Sequence, residues 1–437
     1  MAEDVIELGL EGVDFVTDKY HDRLYNKLQT RKSNTRRSSS ADFNQGSDSG
    51  SSDHGSNRRR REHPGSSDQI EERRYRTQPS ADDEDSRRRL GNVSNYGAQA
   101  GYGARDVEPS NDQRPNYART ASERAGHGKP DGMPAIPQWS EEAHLELMQK
   151  LSITKSIVSI TSPSTHLTPG DDASARHLTR AYNDFAANLA SRRPAQFGFW
   201  ATLPLPDVTG SLAEIAYALD SLHADGIALE TNHQGRYLGD AAFDAVFAEL
   251  ERRKATVFLH PTGPCIAHSD GPQAAAPMPQ YPSPMFEFFF DTARAVINLF
   301  LSGTVARCPN VTFILSHGAG ALPPIVERFT SFATSVLGLE VKINSDVVKE
   351  TMRRQFYLDL AGFVFPDHIH GVLRYVGPDR LLYGSDYPYT PAKAVEMLAG
   401  RVEEVFPEEG TKRAVLVGNA QRLLAKGKVV TEVHNGL

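Results

Sequence analysis

Residues 311–317 read Val311-Thr312-Phe313-Ile314-Leu315-Ser316-His317, a short apolar run closed by a histidine. Gly318-Ala319-Gly320 follow, and residues 320–336 then read as a helix. The order is that of a strand feeding a helix through a tight turn. The same pattern extends in both directions. Upstream, runs at Ile153–Ile160, Phe197–Leu203, Gly226–Glu230 and Thr256–His260 precede helix-like stretches at 171–193, 208–223, 241–254 and 287–306. Downstream, Phe356–Ala361 and Arg380–Asp386 alternate with stretches at 345–354, 366–375, 391–403 and 410–425, and a further helix is expected at 140–150. Alternation at this spacing predicts parallel βαβ units, with strands covered on both faces. A barrel and a doubly wound sheet both fit this pattern. The absence of a G-x-G-x-x-G loop after the first run lowers the nucleotide-binding alternative.

Three runs end in residues able to bind metal or carry protons: His260 in VFLH-PT, His317 in FILSH-GAG and Asp386 in LLYGSD-YP. In an α/β barrel the C-terminal strand ends converge on one site. Imidazole suits zinc and similar ions, and a carboxylate adds a harder ligand. One such histidine is more often structural; three strand-end residues together argue for chemistry.

Composition bounds the rest. The chain has 437 residues, a net charge of −7 and 39% hydrophobic residues. Only Cys265 and Cys308 are present, too few for a disulfide framework, so a reducing compartment is expected. The acidic start MAEDVIELGLEGVDFV does not read as a signal peptide, and no window reads as a membrane span. A cytosolic chain with no nucleic-acid or membrane partner is expected. Residues 1–31 carry apolar positions at helical spacings and predict a short amphipathic helix, weakened by Gly9 and Gly12. Residues 32–126 contain only Phe43, Ile70, Leu90, Val93 and Val107 among the larger apolar types. With 17 basic and 15 acidic residues there, they predict a disordered polyampholyte. Its Arg58–Arg61 and Arg87–Arg89 runs could bind RNA or an importin, but read more simply as a solvated tail. Residues 127–426 form the core-bearing part, and 427–437 a tail.

Within that part, WSEEAHL (139–145), SITKSIVSITSP (152–163), FGFWATLPLPD (197–207), HADGIALETN (223–232) and YLGD (237–240) resemble segments of the amidohydrolase-related decarboxylases. So do VFLHPTGP (257–264), EFFFDTARAVINLFLSG (287–303), ILSHGAGALP (314–323) and LLYGSDYPY (381–389). That family includes 2-amino-3-carboxymuconate-6-semialdehyde, γ-resorcylate and 6-methylsalicylate decarboxylases. The resemblance implies a (βα)8 TIM-type barrel of the metal-dependent hydrolase kind and loss of CO2 from a salicylate-type acid. It implies His260 and Asp386 as ligands of a divalent ion (zinc, or else manganese or magnesium), with His317 and Asp386 catalytic. Asp291, Arg294 and Phe290 match positions near the substrate, where Arg294 serves equally well as a helix-surface ion pair. Phe289, Phe290 and Trp200 line either an aromatic pocket or the core. A homodimer is compatible with the lineage. A metallohydrolase and a non-catalytic barrel acting as a binding protein are the alternatives.

One feature departs from the family: it opens with a strand ending in His-x-His or Glu-x-His. The upstream histidines His21, His54, His63 and His127, and His144 in the first helix, do not supply it. His368-Ile369-His370 has the spacing but falls on an outer helix. Only seven strands are legible, so the barrel is expected to lack its first. DVIELGL or GVDFV could serve only if some 95 polar residues then separated strand from helix.

Overall fold

The structure, a computed structural model, describes residues 136–425 except 270 and 340–342, together with residues 131 and 133 and the strand Val5–Leu8. The barrel belongs to a unit formed by residues 1–33 and 116–437; residues 34–115, the other unit, lie outside the described residues. So do the expected disorder of 32–126 and the tail 427–437.

Among the described residues twelve strands occur in chain order: β1 Val5–Leu8, β2 Ile153–Val158, β3 Phe197–Thr202, β4 Gly226–Glu230, β5 Asn232–His233, β6 Arg236–Tyr237, β7 Thr256–His260, β8 Cys265–Ile266, β9 Gln273–Ala274, β10 Thr312–Leu315, β11 Phe356–Asp359 and β12 Leu381–Leu382. Eight form one curled parallel sheet in the order β1-β2-β3-β4-β7-β10-β11-β12. The other four make two hairpins, β5-β6 and β8-β9, which follow β4 and β7.

The sequence expectation needs one correction. Residues 5–8, read as helix, form a strand that pairs in parallel with β2, from Val5↔Ile153 to Leu8↔Ile157. The sheet therefore has eight strands, and the first place is filled. The physical reason is that β2 otherwise exposes a row of unpaired backbone groups, which four extended residues satisfy. A helix this short with two glycines close behind has little intrinsic stability to compete. The strand is joined to β2 by about 140 residues, which is why its role is not legible locally.

Side chains sort into two layers. Ile157, Trp200, Ala228, Phe258, Ile314, Tyr357 and Leu382, one from each of seven strands, fill the barrel interior. Val257, Leu259, Phe313, Leu315, Phe356 and Leu358 alternate with them and face the helices. Trp200 is fully buried and stacks on Phe258 at 6.4 Å, so it belongs to the core and not to a pocket. The helices start where the sequence supplies caps. Ser140 accepts a hydrogen bond from the Ala143 N–H before Glu141–Leu151, and Asp171 accepts one from Ser174 before Asp172–Arg192.

Among the described residues β12 is not paired with β1. The turn Ala414–Gly418 lies beside both strands. Val417 within it, and Ala420 and Leu423 just after it, join the interior cluster. Between them Asn419, fully buried, donates its amide to the Pro378 and Leu381 carbonyls, both at 2.7 Å. The side chain thus satisfies an edge that a strand would otherwise satisfy. Replacing Asn419 by Ala strands two carbonyls and is expected to lower stability by about 2 kcal/mol in urea denaturation; a loss under about 0.5 kcal/mol would refute this sealing role.

Candidate functional site

The C-terminal ends of the strands gather five titratable side chains. Glu230 ends β4 and His260 ends β7, and the two are register partners. Asp359 ends β11, His317 follows β10, and Asp386 lies just beyond β12. Of the sequence-expected residues, His260, His317 and Asp386 are brought together. Glu230 and Asp359 were missed, although Glu230 ends an apolar run as His260 does and Asp359 lies within one.

His260 is buried, with Nδ1 3.4 Å from Glu230 Oε2. Its ring meets Phe288 edge-on at 5.8 Å and His317 at 5.9 Å. Burial first, then the nearby His317, push its pKa down to about 3. It is therefore a neutral imidazole with a lone pair to offer. Glu230 behind it has its carboxyl well above the usual range, through burial and the proximity of Asp131 and Asp291.

His317 occupies the left-handed region (φ 53°), as do Gly318, Ala319 and Gly320 after it. Its backbone N–H donates to Asp359 Oδ1 at 2.8 Å. The ring stacks on Phe289 at 5.8 Å, and Nε2 stands 3.7 Å from Asp386 Oδ1. Burial opposes its charged form, but the Asp386 carboxylate, helped by Asp359, outweighs this and raises the pKa. Asp386 shows the converse. Burial opposes its ionisation, yet His317, His260 and the Thr390 hydroxyl at 2.9 Å together lower its pKa. Burial pushes Asp359 up to about 6. The proton of the His317–Asp386 pair thus resides on the imidazole, and the carboxylate stays ionised.

A divalent cation fits this donor set chemically. His260 is deprotonated, Asp386 is anionic, and Glu230 orients the imidazole from behind in the way outer-shell carboxylates do. The number of donors is small: among the described residues no group of three or more His, Cys, Asp or Glu side chains is spaced to enclose an ion.

The remaining candidates surround this group without joining it. Asp291 is fully buried and accepts hydrogen bonds from Tyr237 at 2.5 Å, Asn232 at 3.0 Å and Thr231. Its carboxylate ties the β5-β6 hairpin to helix Glu287–Leu301. Arg294 stands 3.6 Å from it and is half exposed. Phe290 is exposed and touches Phe286, whereas Phe288 and Phe289 are the aromatic neighbours of His260 and His317. His368 lies on helix His368–Val372 with its ring 6.0 Å from Phe289, outside the ligand group.

Comparison with known proteins gives a consistent placement. A family model described as Amidohydrolase matches residues 112–426. The chain is 36% identical over 321 residues to a 6-methylsalicylic acid decarboxylase of Aspergillus aculeatus, covering 72% of this chain and 94% of that one. Among solved structures, an amidohydrolase II is 32% identical with a TM-score of 0.62, covering 70% of this chain and 94% of its own. A dihydroxybenzoic acid decarboxylase of Polaromonas with bound manganese and 2-nitroresorcinol shares the fold at 21% identity and a TM-score of 0.58, covering 66% and 86%.

His233, in the β5-β6 hairpin, offers a test of the burial argument. Burial pushes its pKa down to about 3 from the ordinary 6.5. Below pH 6.5 the unfolded chain takes up a proton that the folded chain refuses, so stability present above that pH is lost as pH falls toward 3. Between pH 6 and pH 4 the unaltered chain should lose about 2 kcal/mol more than a His233→Gln variant. Denaturation curves at the two pH values decide this, and parallel losses would mean that His233 titrates normally.

Proposed function

Because the chain belongs to the amidohydrolase family, we propose that it is a metal-dependent decarboxylase that releases CO2 from a salicylate-type aromatic acid, such as 6-methylsalicylate. The observation that carries this reading is the meeting of His260, His317 and Asp386 at the C-terminal face of the sheet, with His317 Nε2 3.7 Å from Asp386 Oδ1. The curated relative at 36% identity, a carboxy-lyase by name, favours decarboxylation over hydrolysis.

His260 and Asp386 are the residues to hold a divalent ion, with zinc or manganese as the leading choices. Such an ion, when bound, would supply Lewis-acid charge against the charge that develops on the acid. The residues themselves do the proton work. His317 carries the proton at Nε2, held beside Asp386 Oδ1, and delivers it to the ring carbon that bears the carboxylate. That carbon becomes tetrahedral, its bond to the carboxyl carbon breaks, and the electron pair returns to the ring as CO2 leaves. Asp386 stays ionised, stabilises the imidazolium beforehand and lets His317 recover a proton afterwards. Phe288 and Phe289 pack the two imidazoles on their apolar faces and keep water from competing for the proton.

Supplied with zinc or manganese, the purified chain should convert 6-methylsalicylate to 3-methylphenol and CO2, read by product chromatography. His317→Ala should cut kcat by about 100-fold or more, the usual contribution of a positioned acid. Absence of product across a panel of ortho-hydroxybenzoates with either metal would overturn the reading. His260→Ala should abolish metal uptake measured by elemental analysis; unchanged content would remove His260 from the ligand set.

A further inference from the structure

We propose that Asp359 and Gly362, at and just beyond the end of β11, are positioning residues that set the His317 ring against Asp386. The inference rests on the proposed role of His317 but concerns residues not assigned to the chemistry.

His317 is held in an unusual way. Four consecutive residues, His317 to Gly320, have φ between 53° and 66°, and two of them carry side chains. L residues with a Cβ avoid this region unless the surroundings impose it. The surroundings here come from β11. Asp359 is fully buried, and its Oδ1 accepts the N–H of His317 at 2.8 Å and of Ala361 at 3.1 Å. One oxygen therefore clamps the start of the His317 turn to the loop after β11. The second oxygen, Oδ2, is buried with no hydrogen-bond partner, and so is His317 Nδ1. An unpartnered carboxylate oxygen at this depth is costly, and an uncharged side chain would accept the same two N–H groups. Local violations of this kind concentrate where a fold gives up stability for function.

The same loop touches the ring itself. Gly362 has φ 55°, and a Cβ built there would lie 3.0 Å from His317 Cδ2 and 3.8 Å from Asp386 Oδ2. The bare backbone of Gly362 thus forms the wall against which both catalytic groups rest. Phe289 covers the ring face at 5.8 Å, nearly parallel. Ring face, ring edge and backbone N–H are each fixed by a different residue, which leaves Nε2 aimed at Asp386. Asp359, being fully buried, acts through His317 and not by meeting substrate.

The test uses the full chain with metal supplied and three variants, Asp359→Ala, Asp359→Asn and Gly362→Ala. Loss of the clamp or intrusion of a methyl should displace the ring by about 1 Å, enough to lower kcat by about 100-fold with KM within about threefold. Asn retains the acceptor oxygen and should recover at least about a tenth of the lost rate. Crystal structures should show His317 Nε2 shifted from Asp386 in the Ala variants and in place in Asp359→Asn. A ring that does not move, kcat unchanged while melting temperature falls, or an Asn variant as impaired as Ala would each overturn the proposal. If Asp359→Ala does not fold, Gly362→Ala and Asp359→Asn decide alone. If the unaltered chain turns over no aromatic acid, the functional reading fails, and the crystallographic comparison still decides the positioning role.

Discussion

The register of the parallel ladder is the constraint on which the site depends. Glu230 pairs with His260, Leu259 with Leu315, and Leu315 with Leu358. Side chains alternate between the barrel interior and the helix layer, so a slip of one residue in any of these strands would turn its terminal side chain to the other face. Phe258, Ile314 and Tyr357 fix the parity by filling the interior. Val257, Phe313 and Phe356 fix it from outside, with Phe313 stacked on Phe356 at 5.0 Å. The large apolar side chains thus do for the chemistry what they do for folding: they leave only one way for His260, His317 and Asp359 to meet.

Given that geometry, burial and charge divide the protons among groups of similar intrinsic affinity. Desolvation disfavours every charged form: it pushes the His260 pKa down to about 3, leaving a neutral imidazole, and pushes that of Glu230 up. The His317–Asp386 pair escapes because each charge compensates the other. The result is one ionised pair beside one neutral imidazole, with Phe289 against the first and Phe288 against the second. A neutral imidazole suits a Lewis acid and an imidazolium suits proton delivery, so two chemically identical side chains take different roles through their surroundings alone.

His260, His317 and Asp386 were legible in the sequence because each closes an apolar run, and the three runs match the motifs of the family the chain resembles. Glu230 closes a run of the same kind and Asp359 sits inside one, but an acid before Thr-Asn or Leu-Ala-Gly reads as an ordinary turn. Asp291 could not be judged because its partners Thr231, Asn232 and Tyr237 lie some 60 residues away, and saturation by neighbours is invisible in one dimension. Phe288 and Phe289 were separable from Phe290 only once the helix phase was known. The least legible element was Val5–Leu8. A four-residue strand carries almost no periodicity, and its partner strand lies about 140 residues away.

That last element bears on the site through the seam of the sheet. Asp386 follows β12, a strand of two residues whose one hydrogen-bonded neighbour among the described residues is β11. Such an edge would be a poor support for a buried carboxylate, yet three contacts hold it. Leu382 is anchored in the interior cluster. Asn419 binds the Pro378 and Leu381 carbonyls, replacing on one side the hydrogen bonds a closing strand would give. Thr390 donates to the Asp386 carboxylate itself. The C-terminal helix therefore does at this seam what strand closure does elsewhere in the sheet. The precision of the His317–Asp386 pair then rests on β11 and on Asn419 more than on β1. It follows that a first strand without histidines need not disturb the proposed proton-carrying half of the site, and that any deficit falls on the proposed metal-holding half, where His260 and Asp386 would be the donors.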